Sequence, residues 1–596
     1  MSMAFTEAVP WEPLWRNRHG VLPDDFIRWV AGLIDESGIE TRLREWHTEE
    51  RRGPGGRPER FPLRALLVCW AVTTLIAEAP HLTRVCNIMF RRLSPAMREE
   101  LGIPNPPHPD DIRAWRAAYR CVRYRAHAGF LDLIDPSWLP KNRRMDDATF
   151  SALAAGRRAE LSEAEWAQRR ERLTWVCNQV LEVTRQLIPE DVRAHMDGSV
   201  GVDATVIPSP ARAERRAGRS RDGKRAPIVV HSADPDAGLY SRPNDDRDTN
   251  GAVTGGRIVY GMEATFVVSG NHPDSPVATP NIVLSMAPLH RPGEQPGRNA
   301  IRALKDLRDR GHPARLLAAD RAYTSAKPED FQLPARALGY EPVLDYKVDQ
   351  LGVKASHEGF IQVEGAWYCP AMPGDLIDAT KALREGRITT DLYRQRIVER
   401  RKYAARPKGK PDAEGHVRLM CPAASNWPLA RCDNKPASIA NSTRGRIRIP
   451  LRDTLATNPP PCCTQQSITL PPAAGAKFAQ PLAYGSDEWH AVYSTLRNTN
   501  EGMHGYLKDG AFEALHDPRR RRLLGVAAQS VQAALTVMAG NVRKIDSFLK
   551  EQARIEQAAI PNAHKRPPRR RTRSLATWLP ENTESVACDR SPPETA

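Results

Sequence analysis

The sequence predicts an α/β protein built on a mixed five-stranded sheet that is flanked by helices. β-branched runs alternate with amphipathic helical runs between residues 199 and 348, which indicates strands connected by helices. Residues 1–195 carry apolar residues at helical spacing, so we expect an all-helical N-terminal domain there. Residues 349–485 are rich in Pro, Arg and Cys with short strand-like pieces, which predicts a β-rich, irregular insertion.

The elements of the predicted core follow one another in a simple order. The expected strands are 199–207, 257–269, 281–288, 314–320 and 341–348, with helices at 297–311, 328–338, 488–508 and 525–551. Three antiparallel strands followed by a crossover helix would place the fourth strand beside the first. The expected domains are an N-terminal helical domain (1–195), a first part of the core (196–348), the insertion (349–485), a second, helical part of the core (486–556) and a basic disordered tail (557–596).

The chain carries a large excess of positive charge. Its 87 Lys and Arg residues outnumber its 71 Asp and Glu residues, which gives a formal net charge of +16. We find no signal peptide and no apolar run that could span a bilayer, so we expect a cytoplasmic protein. On such a chain nucleic acid is the first partner to consider, although a basic surface can also be simply solvated.

Three segments concentrate this charge. Residues 209–225 hold seven basic and two acidic residues, residues 565–573 hold six basic residues and no acidic one, and residues 519–522 are four consecutive arginines. An Arg-rich helix at 111–128 is a further candidate for a basic face within the helical domain. For each segment a solvent-exposed face is the alternative interpretation.

The cysteines are too sparse for a disulfide-stapled scaffold, at ten in 596 residues. Five of them fall in the insertion, namely Cys369, Cys421, Cys432, Cys462 and Cys463. Their spacing does not match a paired C-x2-C arrangement. A structural Zn²⁺ site that uses some of them together with His416 is one interpretation, but reduced thiols in an irregular module are the favoured one.

Two acidic residues interrupt strands that are otherwise apolar. Asp203 lies within GVDATVI, and Asp320 ends RLLAAD. An unpaired carboxylate in a core strand is costly, so each is explained either by a salt bridge or by a function. If the first and fourth strands are neighbours, the two carboxylates converge and repel each other unless a proton or a cation lies between them. Hard oxygen ligands of this kind favour Mg²⁺ or Mn²⁺.

A helix after the insertion can supply a third acid. At about 100° per residue, Tyr493, Arg497, Glu501, His504 and Lys508 fall within about 80° of one another around the helix. Such a polar stripe is not a core face. The alternative is an exposed face with pairs four residues apart, such as Arg497 and Glu501.

These motifs together resemble the DDE-type transposases of bacterial insertion sequences, whose core is ribonuclease H-like. One large group of that family carries a helix motif spaced Tyr-x2-Arg-x3-Glu-x6-Lys, and this sequence reads Tyr493-x3-Arg497-x3-Glu501-x6-Lys508. The Arg, Glu and Lys spacings match, and the Tyr is displaced by one residue. Asp-Ala-Thr at 203–205, Asp320-Arg-Ala-Tyr323 and the long insertion before the Glu helix are also similar to that group.

The resemblance implies a function, a metal requirement and a set of site residues. Asp203, Asp320 and Glu501 would be catalytic and would hold two Mg²⁺ or Mn²⁺ ions. Water would cut a phosphodiester at the element end, and the freed 3′-hydroxyl would then attack target DNA. The expected contacts to double-stranded DNA are Arg497, Lys508, Tyr493, His504, Arg215, Arg216, Arg219 and Arg221, from a protein for which the family implies a homodimer on DNA. The alternatives are a metal-dependent nuclease or integrase of the same fold, and an inactive transposase-derived DNA-binding protein.

Overall fold

The computed structural model describes residues 20–50, 60–218, 226–242, 257–424, 428–440 and 447–559. These residues form two units, one that ends at Asp546 and one that begins at Ser547. The described part of the second unit is a largely exposed length of helix. All the elements discussed below as parts of the sheet, the site and the insertion belong to the first unit.

The N-terminal part is helical, as the spacing of its apolar residues predicts. Its helices are α1 (Asp24–Glu36), α2 (Ile39–Glu50), α3 (Leu63–Leu75), α4 (Leu82–Asn87), α5 (Pro95–Glu100), α6 (Ile112–Ala126), α7 (Asp132–Ile134), α8 (Asp147–Arg158), α9 (Glu163–Arg185) and α10 (Glu190–Arg193). Short π-helical turns, Ile88–Arg92 and His127–Leu131, follow α4 and α6. Helix α3 is apolar on all sides and is buried along almost its whole length, so it forms the centre of this part.

A mixed sheet follows the helical part. The strands in this region are β1 (Met145–Asp146), β2 (Val200–Pro208), β3 (Arg215–Arg216), β4 (Ile228–His231), β5 (Gly238–Arg242), β6 (Arg257–Ser269), β7 (Val283–Met286), β8 (Leu316–Ala319) and β9 (Glu341–Leu344). The central sheet has the order β5-β6-β2-β8-β9, with β7 also paired to β6. β2 runs antiparallel to β6 and parallel to β8, and β8 runs parallel to β9. The short strands β1, β4 and β3 form a separate sheet.

Two helices connect the parallel strands, and the first of them is strongly amphipathic. α11 (Pro296–Asp309) lies between β7 and β8, and α12 (Gln332–Ala337) lies between β8 and β9. Single 3₁₀ turns occur at Tyr323–Ser325, Pro328–Asp330 and Val348–Gln350. The apolar face of α11 buries Ala300, Ala303, Leu304 and Leu307, so the helix covers the sheet with its polar side outward.

The insertion contains two small three-stranded sheets and short helices. Its strands are β10 (Val353–His357), β11 (Phe360–Val363), β12 (Ala366–Tyr368), β13 (Arg406–Pro407), β14 (Val417–Met420) and β15 (Ile468–Leu470). Its helices are α13 (Gly374–Ile377), α14 (Ala379–Arg384), α15 (Thr390–Arg400) with the 3₁₀ turn Arg401–Tyr403, α16 (Pro436–Ala440), α17 (Asp453–Thr457) and α18 (Pro461–Thr464). A buried ion pair between Arg400 and Glu364, at 2.5 Å, joins α15 to the turn after β11.

Two long helices return the chain to the central sheet. They are α19 (Asp487–Lys508) and α20 (Val526–Ala559), with the 3₁₀ turn Pro518–Arg520 between them. The side chain of Asn541 on α20 accepts from the Val283 N–H at 3.0 Å and donates to the Val283 carbonyl at 2.8 Å. These bonds satisfy backbone groups of β7 and fix α20 against the edge of the sheet.

One apolar core runs through the N-terminal helices, the sheet and the first part of α20. The sequence-predicted boundary at residue 195 therefore crosses a continuous core, and the domain division stays a prediction.

Two expectations are corrected. The sheet has six strands and not the expected five. The additional strand is β5, which is too short and polar to stand out in the sequence. The N-terminal part is not purely helical, since β1 pairs with β4. No helix in the described part of the chain is long and apolar enough to cross a membrane.

Candidate active site

The pairing of β2 with β8 brings Asp203 and Asp320 side by side. The two strands are parallel, and Val202 lies opposite Ala319, so the next residue on each strand is an aspartate. The predicted neighbourhood of the first and fourth strands is confirmed. Paired residues of adjacent strands point to the same face of a sheet, so both side chains lie together at the end of this ladder.

Helix α19 crosses that face and supplies the third acid. It begins at Ser486, whose side chain accepts a hydrogen bond from the Trp489 N–H, and it buries Leu496, Asn500 and Met503 against the protein. The absence of a side chain at Gly201 permits this close packing. A Cβ there would lie 2.7 Å from the carbonyl oxygen of Leu496 and 2.3 Å from the Asn500 amide nitrogen.

Arg497 is the centre of the site. Its guanidinium nitrogens lie 3.2 Å from Asp203 Oδ2, 3.6 Å from Asp320 Oδ2 and 3.0 Å from Glu501 Oε1. The three predicted acids thus surround one cation that comes from the same helix as Glu501. The acids differ in exposure: 15% of the Asp203 side chain is exposed, compared with 36% for Asp320 and 58% for Glu501. The site is therefore buried at Asp203 and open to solvent at Glu501.

Burial and like charges shift the proton equilibria in the site. Loss of solvation, together with the charges of Asp320 and Glu501, raises the pKa of Asp203 to about 6 against the opposing effect of Arg497. Burial lowers the pKa of His504 to about 3, aided by Lys508 and Arg497. His504 is therefore neutral at physiological pH, with its Nδ1 3.8 Å from Asp203 Oδ2.

The remaining residues of the helix motif have distinct positions. Lys508 donates to the hydroxyl of Thr205, which points to the same face of β2 as Asp203. Tyr493 stacks on Trp489 with ring centroids 4.8 Å apart, and its ring is half-buried. His504 is buried, at 8% exposure, and its ring packs against Phe266 of the sheet, while its contact with DNA stays a prediction.

Three residues outside the predicted set of site residues also shape the site. Tyr323 is fully buried near Asp203 and Asp320. The charges of these two acids add to the effect of burial in raising the pKa of Tyr323. Asp345 follows β9 as Asp320 follows β8. It forms an ion pair with Arg321 Nε at 2.6 Å and accepts a hydrogen bond from the Tyr484 hydroxyl at 2.6 Å. The repeated ending of a strand in Asp was the available signal for Asp345. Thr205 could have been found from the two-residue period of β2.

The predicted basic loop is only partly described, and its described part is partly engaged. Arg219 and Arg221 lie outside the described residues. Arg215 is exposed, whereas Arg216 donates to Glu214 at 2.8 Å and to the Ala226 carbonyl at 2.7 Å. Arg215 is therefore the better placed of the two to contact a phosphate.

Two of the four arginines at 519–522 have structural roles, whereas Arg519 and Arg522 are exposed. Arg521 is 1% exposed and donates to the Pro208 carbonyl at 3.1 Å, and burial lowers its pKa to about 9. Arg520 donates to the Ala77 carbonyl at 3.0 Å. These two arginines join the chain before α20 to the end of β2 and to the N-terminal helices, so they are not available as a DNA-binding block.

Helix α6 presents the clearest basic surface in the described part of the chain. Its sequence contains no acidic residue. Four exposed arginines recur along it at spacings of three and four residues, and they share one face: Arg113, Arg116, Arg120 and Arg123. Tyr124 beside them is 70% exposed. A solvent-facing row of guanidinium groups beside an exposed aromatic ring is typical of a nucleic-acid-binding surface.

The donor set around Arg497 suits a hard divalent cation. Three carboxylates converge from two strands and a helix, and their mutual repulsion is what a cation would relieve. In the described residues a tighter group, with ligand atoms within 4.8 Å of one another, is Asp412, Glu414 and His416 on the insertion surface. That group is largely exposed and is far less convincing, because surface acids commonly cluster without an ion.

Comparisons with known proteins returned no match to a family model, to a curated protein or to a solved structure.

Proposed function

We propose that this protein is a DNA transposase with a ribonuclease H-like core and a DDE active site formed by Asp203, Asp320 and Glu501. The observation that carries the proposal is the meeting of these three acids, from segments far apart in the chain, at the single guanidinium of Arg497. The order of the strands and the place of the Glu helix after a long insertion agree with that family's core.

The three acids would hold Mg²⁺ or Mn²⁺. Bound ions would stabilise the attacking and leaving oxygens of an in-line phosphodiester exchange. The chain itself provides the rest. Asp203 is mostly ionised at neutral pH because its pKa is about 6, and the rigid contact of α19 with β2 holds Glu501 above it. The acids and the DNA phosphates would compete for Arg497 and Lys508. Contacts from these two cations to the phosphates would position the scissile group.

The proposed reaction has two displacements. Water attacks the phosphodiester at an element end, so that the P–O3′ bond breaks and leaves a 3′-hydroxyl. That hydroxyl then attacks a phosphorus of target DNA, forming a new P–O3′ bond and releasing the target's own 3′-hydroxyl. The arginine face of α6 and the exposed Arg215 would bind the backbone of the duplex without reading its sequence.

Cleavage of DNA that carries the repeats flanking this coding sequence tests the proposal. With Mg²⁺, the wild type should nick this DNA at the repeat ends. Asp203→Asn, Asp320→Asn and Glu501→Gln should each lower the rate by more than about 100-fold, because groups that only support a metal ligand already contribute about 10- to 100-fold. Glu488→Gln is the matched control, since Glu488 is exposed on the first turn of the same helix.

The same assay separates the alternatives. Pre-cleaved repeat ends should join to a target plasmid if the protein is a transposase, whereas a nuclease of the same fold would cut without joining. Salt-dependent DNA binding without any metal-dependent cleavage would instead support a non-catalytic DNA-binding protein. Full cleavage by the Asp203→Asn variant would remove the proposed site altogether.

A further inference from the structure

The insertion collects five thiols in one small core that the proposed DNA chemistry does not use. Cys369, Cys421, Cys432, Cys462 and Cys463 are all free and no more than 4% exposed. They belong to one cluster of buried residues, although they come from four separate segments of the insertion. The sheets around them have three short strands each, so this core has little regular structure to stabilise it.

Three of these thiols open the same kind of turn. The turns read Cys369-Pro-Ala-Met372, Cys421-Pro-Ala-Ala424 and Cys432-Asp-Asn-Lys435. In each, the cysteine carbonyl accepts from the N–H three residues later, at 3.0, 2.8 and 2.9 Å. The N–H two residues later also donates to the cysteine sulfur. Each of these sulfurs is therefore held at the start of a tight turn, with a backbone N–H directed at it.

The fourth sulfur with donors around it is Cys463. Its sulfur accepts hydrogen bonds from the Cys462 thiol and the Asn434 side chain. Asn434 belongs to the turn that follows Cys432, so the two segments are in direct contact. The sulfur of Cys462 is turned toward Gly359, where an added Cβ would lie 2.9 Å from it. Because Cys462 faces Gly359 and donates to Cys463, Cys463 is the better placed of the two to join the other three thiols.

Cys421 links the set together. Its sulfur accepts a hydrogen bond from the Cys369 thiol, and it interacts electrostatically with Cys463 and Cys432. His416, a ligand considered from the sequence, lies in the separate surface group with Asp412 and Glu414. Among the described residues no three of these sulfurs lie within 4.8 Å of one another, so the sulfurs have to move closer together to bind one ion.

We propose that Cys369, Cys421, Cys432 and Cys463 bind one structural Zn²⁺ ion, which holds the insertion together. Four thiolates form a closed tetrahedral site with no open position, which makes the site structural and not catalytic. Binding releases the thiol protons, because the ion takes the thiolate form. The sequence favours reduced thiols at these positions, whereas this proposal makes them zinc-bound thiolates. The site is independent of the proposed DNA chemistry.

Metal analysis of the full chain, purified without added zinc, tests the site. We expect about one zinc per chain, resistant to dialysis. Replacement by Co²⁺ should produce the visible bands of tetrahedral cobalt and the sulfur-to-cobalt charge-transfer bands of thiolate ligands. Cys→Ser variants at positions 369, 421, 432 and 463 should each lose most of the bound zinc. Cys462→Ser is the matched control, next to Cys463 in sequence, and should retain it.

The wild-type spectrum keeps the test decisive if the variants fail to fold, since it needs no substitution. Absence of zinc both after purification and after titration with Zn²⁺ against a chromophoric chelator would overturn the proposal. So would a disulfide between Cys369 and Cys421 in freshly isolated protein, or iron in place of zinc. Loss of zinc from Cys462→Ser but not from Cys463→Ser would reject the ligand assignment.

Discussion

The acid site on the sheet and the thiol core of the insertion both gather metal-ligand side chains from distant segments, but they balance their charges differently. Around Arg497 the chain supplies its own cation, so three carboxylates coexist without an ion. In the insertion the thiols meet hydrogen-bond donors and the single positive charge of Lys435, which acts on Cys421 and Cys463 and is too small to balance four thiolates. The acid site can therefore fold first and bind metal afterwards, whereas the thiol core depends on metal for its cohesion.

The largest expected effect is on the thiol core. Cys421→Ser should remove the central ligand and destabilise the insertion, because structural zinc contributes on the order of 10 kcal/mol in small zinc domains. Limited proteolysis should then cut the chain between residues 351 and 470 at protease concentrations that leave the wild type intact. Cys462→Ser should behave as the wild type does. Equal resistance of the Cys421→Ser variant would show that this core needs no metal.

Loss of a ligand at the acid site should instead stabilise the folded chain when no divalent cation is added. The folded chain holds the proton of Asp203 more tightly than the unfolded chain, because the pKa rises from 3.8 to about 6. The resulting stabilisation is complete below about pH 4 and is lost as the pH rises through about 6. At pH 8 the ionised carboxylate thus opposes folding, by at most about 3 kcal/mol given these two pKa values.

Asp203→Asn should therefore raise the thermal unfolding midpoint at pH 8, without added divalent cation, and should have little effect at pH 4. The measurement is differential scanning fluorimetry at both pH values, with Glu488→Gln as the control. A lower midpoint at pH 8 would mean that the ion pair with Arg497 outweighs the cost of burying Asp203. The same variant should lose cleavage, so stability and activity would change in opposite directions.

A smaller effect should come from the contact between α19 and β2. Gly201→Ala should cost about 1–3 kcal/mol, since its Cβ would meet the Leu496 carbonyl and the Asn500 side chain. The helix must then move away from the sheet, so cleavage should fall although no acid has changed. Gly502→Ala on the same helix meets nothing within 4 Å and should stabilise the protein by about 0.5–1 kcal/mol with cleavage retained. Equal effects of the two substitutions would contradict this account.

The two regions also differ in how far the sequence could predict them. The acid site was predictable because each acid broke a local pattern: Asp203 and Asp320 interrupt apolar strands, and Glu501 lies on a polar stripe of a helix. The thiol core was predictable only in part: the sequence places five cysteines in the insertion, but the turns and the contacts that bring them together link segments that are distant along the chain. β5 was missed for a related reason, since a short polar strand is defined by its partner β6 and not by its own composition. The buried arginines near residue 520 show the same limit, because charge alone does not reveal whether a side chain is solvated or enclosed.

The smallest effect concerns the arginine face of α6 and asks whether the acid site, unlike the thiol core, acts on DNA. Replacing Arg113, Arg116, Arg120 and Arg123 with Gln should weaken duplex binding and reduce the slope of log K against log salt by about 0.9 for each phosphate that is no longer neutralised. Binding should be measured by fluorescence anisotropy at several salt concentrations. Arg28→Gln combined with Arg42→Gln is the control, because both of these arginines already pair with acids. An unchanged slope would show that α6 does not bind phosphates.

Because these residues do not touch the acids, cleavage at saturating DNA should stay near the wild-type rate. A proportional fall in cleavage at saturating DNA would place α6 in the chemistry itself.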